Sequence, residues 1–251
     1  LIHYAGDIET QAYDEGVDVD ELMQHAEGEL FQLSQGNMKQ DYTQIDPVIK
    51  DAVDILQRAA QNKGGLTGIP TGYQQMDDMT SGWQPSDLVI IAGRPAMGKT
   101  SFALSIAKNV AVDHGVPIGF FSLEMNNVQL VNRLISNVCE ISGKKILNGQ
   151  LDPSEWERLD KKIRSLTGAP IYIDDTPGLS VFELRTKARR LVREKGVKLL
   201  MIDYLQLMNA NGMKFGSRQE EVSTISRSLK GLAKELNIPV LALSQLSRNV
   251  E

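Results

Sequence analysis

The chain is poor in cysteine, histidine and aromatic residues, and it has no long apolar run. Its one cysteine, Cys139, cannot close an internal disulfide, which points to a reducing, cytoplasmic setting. Three histidines, His3, His25 and His114, stand far apart, with no metal-ligand spacing and no partner pattern for a triad. Zinc-centred and nucleophilic-hydrolase chemistries are set aside on those grounds. A run of about eighteen apolar residues is absent, so no membrane-spanning helix is expected. The first residues, LIHYAGDIET, carry no basic region followed by an apolar one, so this stretch is not expected to act as a secretory leader.

What is present suits a globular protein. At 251 residues with 41% hydrophobic side chains, the chain can bury a substantial core. The net charge of −5 hides an asymmetry: residues 1–62 hold 13 acidic against 3 basic residues, the remainder 19 against 24. Only the second segment suits a polyanionic partner.

The first sixteen residues show no strong pattern. From Asp18 a helix is expected, with Asp18 and Glu21 as a capping pair and Val19, Leu22, Met23, Ala26 and Leu30 at helical spacing. The polar stretch SQGNMKQDYTQ reads as a linker. A second helix follows over 46–61, opened by Asp46 and Pro47 and closed by Gly64 and Gly65. Its apolar stripe, which includes Ile45, Val48, Ile49, Val53 and Leu56, cannot be buried by one helix alone, so it must dock on its own core or on another copy. From Leu66 onward, strands alternate with helices. The strands are expected at Leu88–Ala92, Ile118–Leu123, Ile171–Ile173, Leu199–Ile202 and Val240–Leu243, and the helices near 99–113, 126–139, 153–166, 180–195 and 219–236. That alternation predicts an α/β fold with a mostly parallel sheet covered on both faces.

The segment Gly93-Arg94-Pro95-Ala96-Met97-Gly98-Lys99-Thr100, followed by Ser101, satisfies G-x-x-x-x-G-K-[ST] between a strand and a helix. Its glycines let the backbone curl so that N–H groups face phosphate oxygens, and the following helix adds its positive end. Lys99 brings a cation to the outer phosphates of ATP, and the Thr100 hydroxyl suits Mg²⁺. A second metal contact is expected from Asp203 at the end of KLLMID, where a carboxylate holds Mg²⁺ through water. Asp174 and Asp175 also end a strand, but they lead into a Pro-Gly turn that suits capping. Glu124, leaving the strand IGFFS, can take a proton from water attacking the terminal phosphate. Gln245, after the last strand, can sense that phosphate.

Two basic features remain. The helix VFELRTKARRLVREK carries Arg185, Lys187, Arg189, Arg190, Arg193 and Lys195, which suit either a solvated or subunit-facing outer surface or a polyanion. The glycine-rich loop NANGMKFGSRQ offers Lys214 and Arg218 to a nucleic-acid backbone.

The blocks GRPAMGKTSFAL, FFSLEM, IYIDDTPGLS, LLMIDYLQLM and EVSTISRSLKGLAKELNIPVLALSQLSR resemble the bacterial replicative DNA helicases of the DnaB family. So does the lead-in TGIPTGYQQMDDMTSGWQPSDL, and the resemblance covers about residues 66–251. It implies a RecA-like P-loop NTPase core at 66–251, preceded by the end of a helical N-terminal domain at 1–35 and a linker with an amphipathic docking helix at 36–65. It further implies a hexameric ring of identical subunits on single-stranded DNA, in the cytoplasm, with a primase and a helicase loader as partners. By position, Lys99 and Thr100 would bind phosphate and Mg²⁺, Asp203 would be the Walker B carboxylate, Glu124 would polarise water, and Gln245 would couple nucleotide to DNA. Family members continue beyond the block that ends here at Glu251, so an arginine finger and the main DNA loops are expected outside this chain. A RecA-like regulatory or recombinase ATPase, and a ring-assembly module without productive unwinding, are the alternatives.

Overall fold

Five apolar runs form one parallel sheet, and its two faces account for their composition. The strands are β1 (Leu88–Gly93), β2 (Ile118–Ser122), β3 (Ile171–Asp174), β4 (Leu199–Asp203) and β5 (Val240–Gln245). Their order across the sheet is β1-β5-β4-β2-β3, with Leu88 opposite Val240, Leu200 opposite Val240 on the other side, and Ser122 opposite Asp203. All five residues of β2 and of β4 are buried, as expected for strands covered on both faces.

The computed structural model describes residues 2–14, 19, 22, 25–26, 44–61, 66–209 and 216–246. The expected capping pair Asp18 and Glu21, the glycines 64 and 65, and Lys214 lie outside the described residues. The helices are α1 (Ile2–Ala12), α2 (Ile45–Gln61), α3 (Gln74–Thr80), α4 (Lys99–Lys108), α5 (Asn127–Cys139), α6 (Gly143–Asn148), α7 (Pro153–Leu166), α8 (Val181–Lys195) and α9 (Arg218–Leu236). Among the described residues no helix is long and apolar enough to cross a membrane.

Side chains alternate across each strand, so one strand feeds two cores. Leu199 and Met201 of β4 join Leu241, Phe120, Leu104 and Leu130 under α4 and α5. Leu200 and Ile202 join Ala242, Phe121, Leu184 and Leu229 under α8 and α9. Helix starts are fixed by local chemistry. Asn126 with Gln129, Asp152 with Glu155 and Ser180 with Glu183 each form a reciprocal capping box. The Ser154 hydroxyl and the Glu155 N–H hold the Asp152 carboxyl down at about 2.

Before β1, the segment Gly68–Trp83 straps the sheet to the end of α4. Ile69 and Trp83 exchange backbone hydrogen bonds of 2.9 and 2.8 Å. The buried Asp77 carboxylate accepts from the N–H groups of Thr71 at 2.8 Å and Gly72 at 3.2 Å, and Asn109 Nδ2 donates to the Thr71 carbonyl at 3.1 Å. Gly72 has φ +78°, and a Cβ there would stand 2.4 Å from the Asn109 side chain, so the strap and the helix end fit only with glycine. Asp77→Ala strands two N–H donors and is expected to cost about 3 kcal/mol of stability. A urea unfolding curve whose midpoint does not move would show that the strap is held by other contacts.

Candidate active site

Four neighbouring strands deliver their C-terminal ends to one place. β1 leads into Gly93–Thr100, β5 ends in Gln245, β4 ends in Asp203, and Glu124 follows β2. The carboxyl edge of a parallel sheet is where open α/β folds bind ligands, because helix N-termini and loop N–H groups collect there. A cavity of about 400 Å³ opens at this edge. Pro95, Ala96 and Gly98 form its floor with Lys99, Thr100 and Ser101, and Glu124, Met125, Arg133, Asp203 and Gln245 form the rest of its lining.

The loop after β1 is shaped by its backbone. Gly98, the residue before α4, has φ +81° and Ala96 has φ +62°, so the chain curls twice in quick succession. Lys99 folds back over this curl, and its Nζ donates to the carbonyls of Gly93 at 3.0 Å and Arg94 at 3.3 Å. A Cβ on Gly93 would stand 3.3 Å from Lys99 Cγ, so glycine at the strand end lets the lysine pass. The other expected loop residues, Arg94 and Met97, lie on the same turn, and the Met97 side chain is exposed.

Asp203 is 1% exposed, and burial pushes its carboxyl above the usual range. The Thr100 hydroxyl beside it lowers it, Glu124 raises it, and Lys99 and Arg133 lower it, in falling order. Its Oδ2 is, among the described residues, the buried side-chain oxygen without a hydrogen-bond partner. A buried, unpartnered carboxylate oxygen beside a threonine hydroxyl matches the oxygen donors that a hard divalent cation takes. Thr100 and Asp203 are therefore the residues that fit Mg²⁺.

Glu124 stands on a tight bend: Ser122 Oγ donates to the Met125 carbonyl at 2.7 Å and accepts from the Met125 N–H at 3.3 Å. The competing carboxylates are used elsewhere. Asp174 Oδ2 pairs with Lys187 Nζ at 2.8 Å and its Oδ1 accepts from the Thr176 N–H at 3.0 Å. Burial pushes that carboxyl up, but Lys187 and Thr176 together carry it below the usual range. Asp175 accepts from the Asn127 N–H at 2.9 Å and so caps α5. Both act as turn and helix caps, at the edge strand β3.

The basic side chains of helix α8 are paired with carboxylates along its outer face. Arg185 and Arg189 share Glu235, Lys187 takes Asp174, Arg190 and Arg193 share Glu194, and the Lys195 ammonium lies 5.8 Å from the Tyr172 ring centre. Of the two readings of that helix, an outer surface rather than a polyanion site fits these pairings. Arg218 likewise pairs with Glu221 and donates to the Gln206 carbonyl. Sequence reasoning missed two residues. Arg133 lines the cavity from α5, and Gln206 bonds to Ser244 and Gln245. Nothing in their neighbourhoods separates them from solvated polar residues.

Comparison with known proteins gives a consistent picture. The family model described as the DnaB-like helicase C terminal domain matches residues 68–251. The replicative DNA helicase DnaB of Geobacillus stearothermophilus is 43% identical over 251 residues, all of this chain and 55% of that protein. The replicative DNA helicase DnaC of Bacillus subtilis (strain 168) is also 43% identical, with the same coverage. Among solved structures, one described as an ATPase domain superposes with a TM-score of 0.75 at 37% identity, covering 83% of this chain and 73% of that one. A DnaB-like replicative helicase, described with its interactions with primase, superposes with a TM-score of 0.71 at 34% identity, covering 98% and 57%. The chain spans about half the length of the curated relatives it matches.

Proposed function

The chain belongs to the DnaB-like helicase C-terminal domain family, and from that premise we propose that it is the ATP-driven motor of a replicative DNA helicase. The observation that supports this most is the meeting of Lys99, Thr100, Glu124, Asp203 and Gln245 around one cavity. In this reading the loop N–H groups and the start of α4 bind the phosphates of ATP, and Lys99 leaves its two carbonyls to reach the outer phosphates. Thr100 and Asp203 would hold Mg²⁺, which would neutralise charge on the outer phosphates. Glu124 orients water and takes its proton. Gln245, on the strand next to the phosphate loop, senses whether the terminal phosphate is present. The turnover drives movement along single-stranded DNA and separation of the duplex.

The division at residues 35 and 65, a cytoplasmic location, and a primase and a loader as partners belong to the same proposal. Strand separation on a forked duplex by the intact native protein tests it. ATP-dependent unwinding that disappears with Lys99→Ala is expected. Hydrolysis without any strand separation would favour the regulatory or recombinase reading.

The ring rests on α2. Six apolar side chains of this helix, Ile45, Val48, Ile49, Val53, Ile55 and Leu56, are exposed, Leu56 by 68%. Val128, Leu147 and Trp156, on α5, α6 and α7, are also exposed. We assign the stripe on α2 to these side chains of a neighbouring copy, as the steps of a homohexamer. Leu56→Glu removes about 2 kcal/mol of apolar burial from each contact and buries a charge. Light scattering should show smaller particles while the unfolding curve of the core stays put. An unchanged hexamer with a weakened core would mean that α2 packs on its own subunit.

A further inference from the structure

Parallel strands normally share their hydrogen bonds evenly along the ladder, but β5 loses its neighbour on one side before it ends. Its pairing with β1 runs to Gly93 opposite Gln245, whereas its pairing with β4 stops at Ile202 opposite Ala242. After Asp203 the chain turns into a 3₁₀ turn at Leu205–Leu207. Gln206, inside that turn, reaches back to β5. Its Oε1 accepts from the Gln245 N–H at 3.1 Å, and its Nε2 donates to the Gln245 carbonyl at 3.1 Å and to Ser244 Oγ at 2.9 Å. One carboxamide thus supplies both the acceptor and the donor that a strand would have given. A carboxamide carries both groups whatever the pH.

The same residue has a second attachment. Its backbone carbonyl accepts from Arg218, the first residue of α9, which is held in turn by Glu221. On the far side of Gln245, the Leu246 N–H donates to the Gly93 carbonyl at 3.1 Å, the carbonyl that also accepts from Lys99 Nζ. A continuous chain of hydrogen bonds therefore runs from the phosphate loop through the end of β5 to the head of α9.

We propose that Gln206 is a positioning residue that fixes Gln245 against the cavity and passes its displacement to Arg218, the point where the chain re-enters helix after the loop read as DNA-facing. This rests on the proposed role of Gln245 as the sensor of the terminal phosphate. It also gives Arg218 a different task from the one read from sequence: its guanidinium anchors the turn rather than standing free for a nucleic-acid backbone.

The test is a pair of single variants and their combination in the intact native protein, assayed for ATP hydrolysis with single-stranded DNA. Gln206→Met keeps the length of the side chain and removes its donor and acceptor. It is expected to lower kcat about tenfold while KM for ATP stays within about twofold, the size set by two or three lost hydrogen bonds. Gln206→Glu, which sets a carboxylate oxygen against the Gln245 carbonyl, should do the same and serves if the methionine variant folds poorly. The Gln206→Met/Gln245→Ala double variant should be no slower than Gln245→Ala alone, because both remove one device. Wild-type kcat in the Gln206 variants beside a slow Gln245→Ala would overturn the inference and leave the sensor standing. So would losses that multiply in the double variant. Should Gln245→Ala itself turn over at the wild-type rate, the sensor falls, and the inference falls with it.

Discussion

Replacing Lys99 by alanine is expected to abolish ATP turnover in the intact native protein. The loop itself should survive, because Lys99 contributes to it only the two bonds to the Gly93 and Arg94 carbonyls. What would be lost is the cation assigned, in the proposed function, to the charge that develops on the outer phosphates. Losing one group aimed at developing charge costs roughly a hundredfold to a thousandfold in rate. Lys99→Arg should not restore activity, because the side chain runs so close to Gly93 that a Cβ there would stand 3.3 Å from it, and a guanidinium is wider than an ammonium. Phosphate release at more than about a tenth of the wild-type rate would contradict the role assigned to Lys99.

Glu124→Gln separates binding from hydrolysis. The amide keeps the shape of the side chain but cannot take a proton from water, so kcat should fall by about a hundredfold or more. Binding should be retained or improved, for an electrostatic reason visible in the site. Glu124 raises the Asp203 carboxyl, and removing that negative charge makes it easier for Asp203 to ionise. An ionised Asp203 is the form that suits a divalent cation. Equilibrium binding of a fluorescent ATP analogue should therefore match or exceed wild type, while single-turnover hydrolysis is slow. Hydrolysis at the wild-type rate would remove Glu124 from the water-orienting role.

The strands were readable as continuous apolar runs, which for IGFFS and LLMID follows from burial on both faces. LVIIAG, at the sheet edge, is only partly buried, yet its apolar run needs no period to be recognised. Helices α5, α7, α8 and α9 fall within one residue of the ranges expected for them. The first helix, Ile2–Ala12, was not readable: Gly6 and sparse apolar positions blur its period. Helices α3 and α6, of 7 and 6 residues, are too short for a period to show.

Strand order was also silent, because a parallel crossover does not encode its neighbours. That is why Asp174 could compete with Asp203 until β3 was found at the sheet edge, with its carboxylate taken by Lys187. The residues that meet at the cavity, Lys99, Thr100, Glu124, Asp203 and Gln245, stood out because the chemistry proposed for them demands particular residues at particular spacing. Arg133 and Gln206 were not. A long polar side chain on a helix or turn looks the same in sequence whether it faces water or a cavity.

A motor that hydrolyses ATP in this cavity to move along single-stranded DNA should turn over faster when that strand is bound. The most direct measurement is steady-state ATP hydrolysis by the intact native protein with and without single-stranded DNA, using Glu124→Gln as the blank. The account predicts magnesium-dependent hydrolysis that single-stranded DNA accelerates, and a blank that stays flat in both conditions. Hydrolysis that ignores DNA, or that persists in the Glu124→Gln variant, would contradict it.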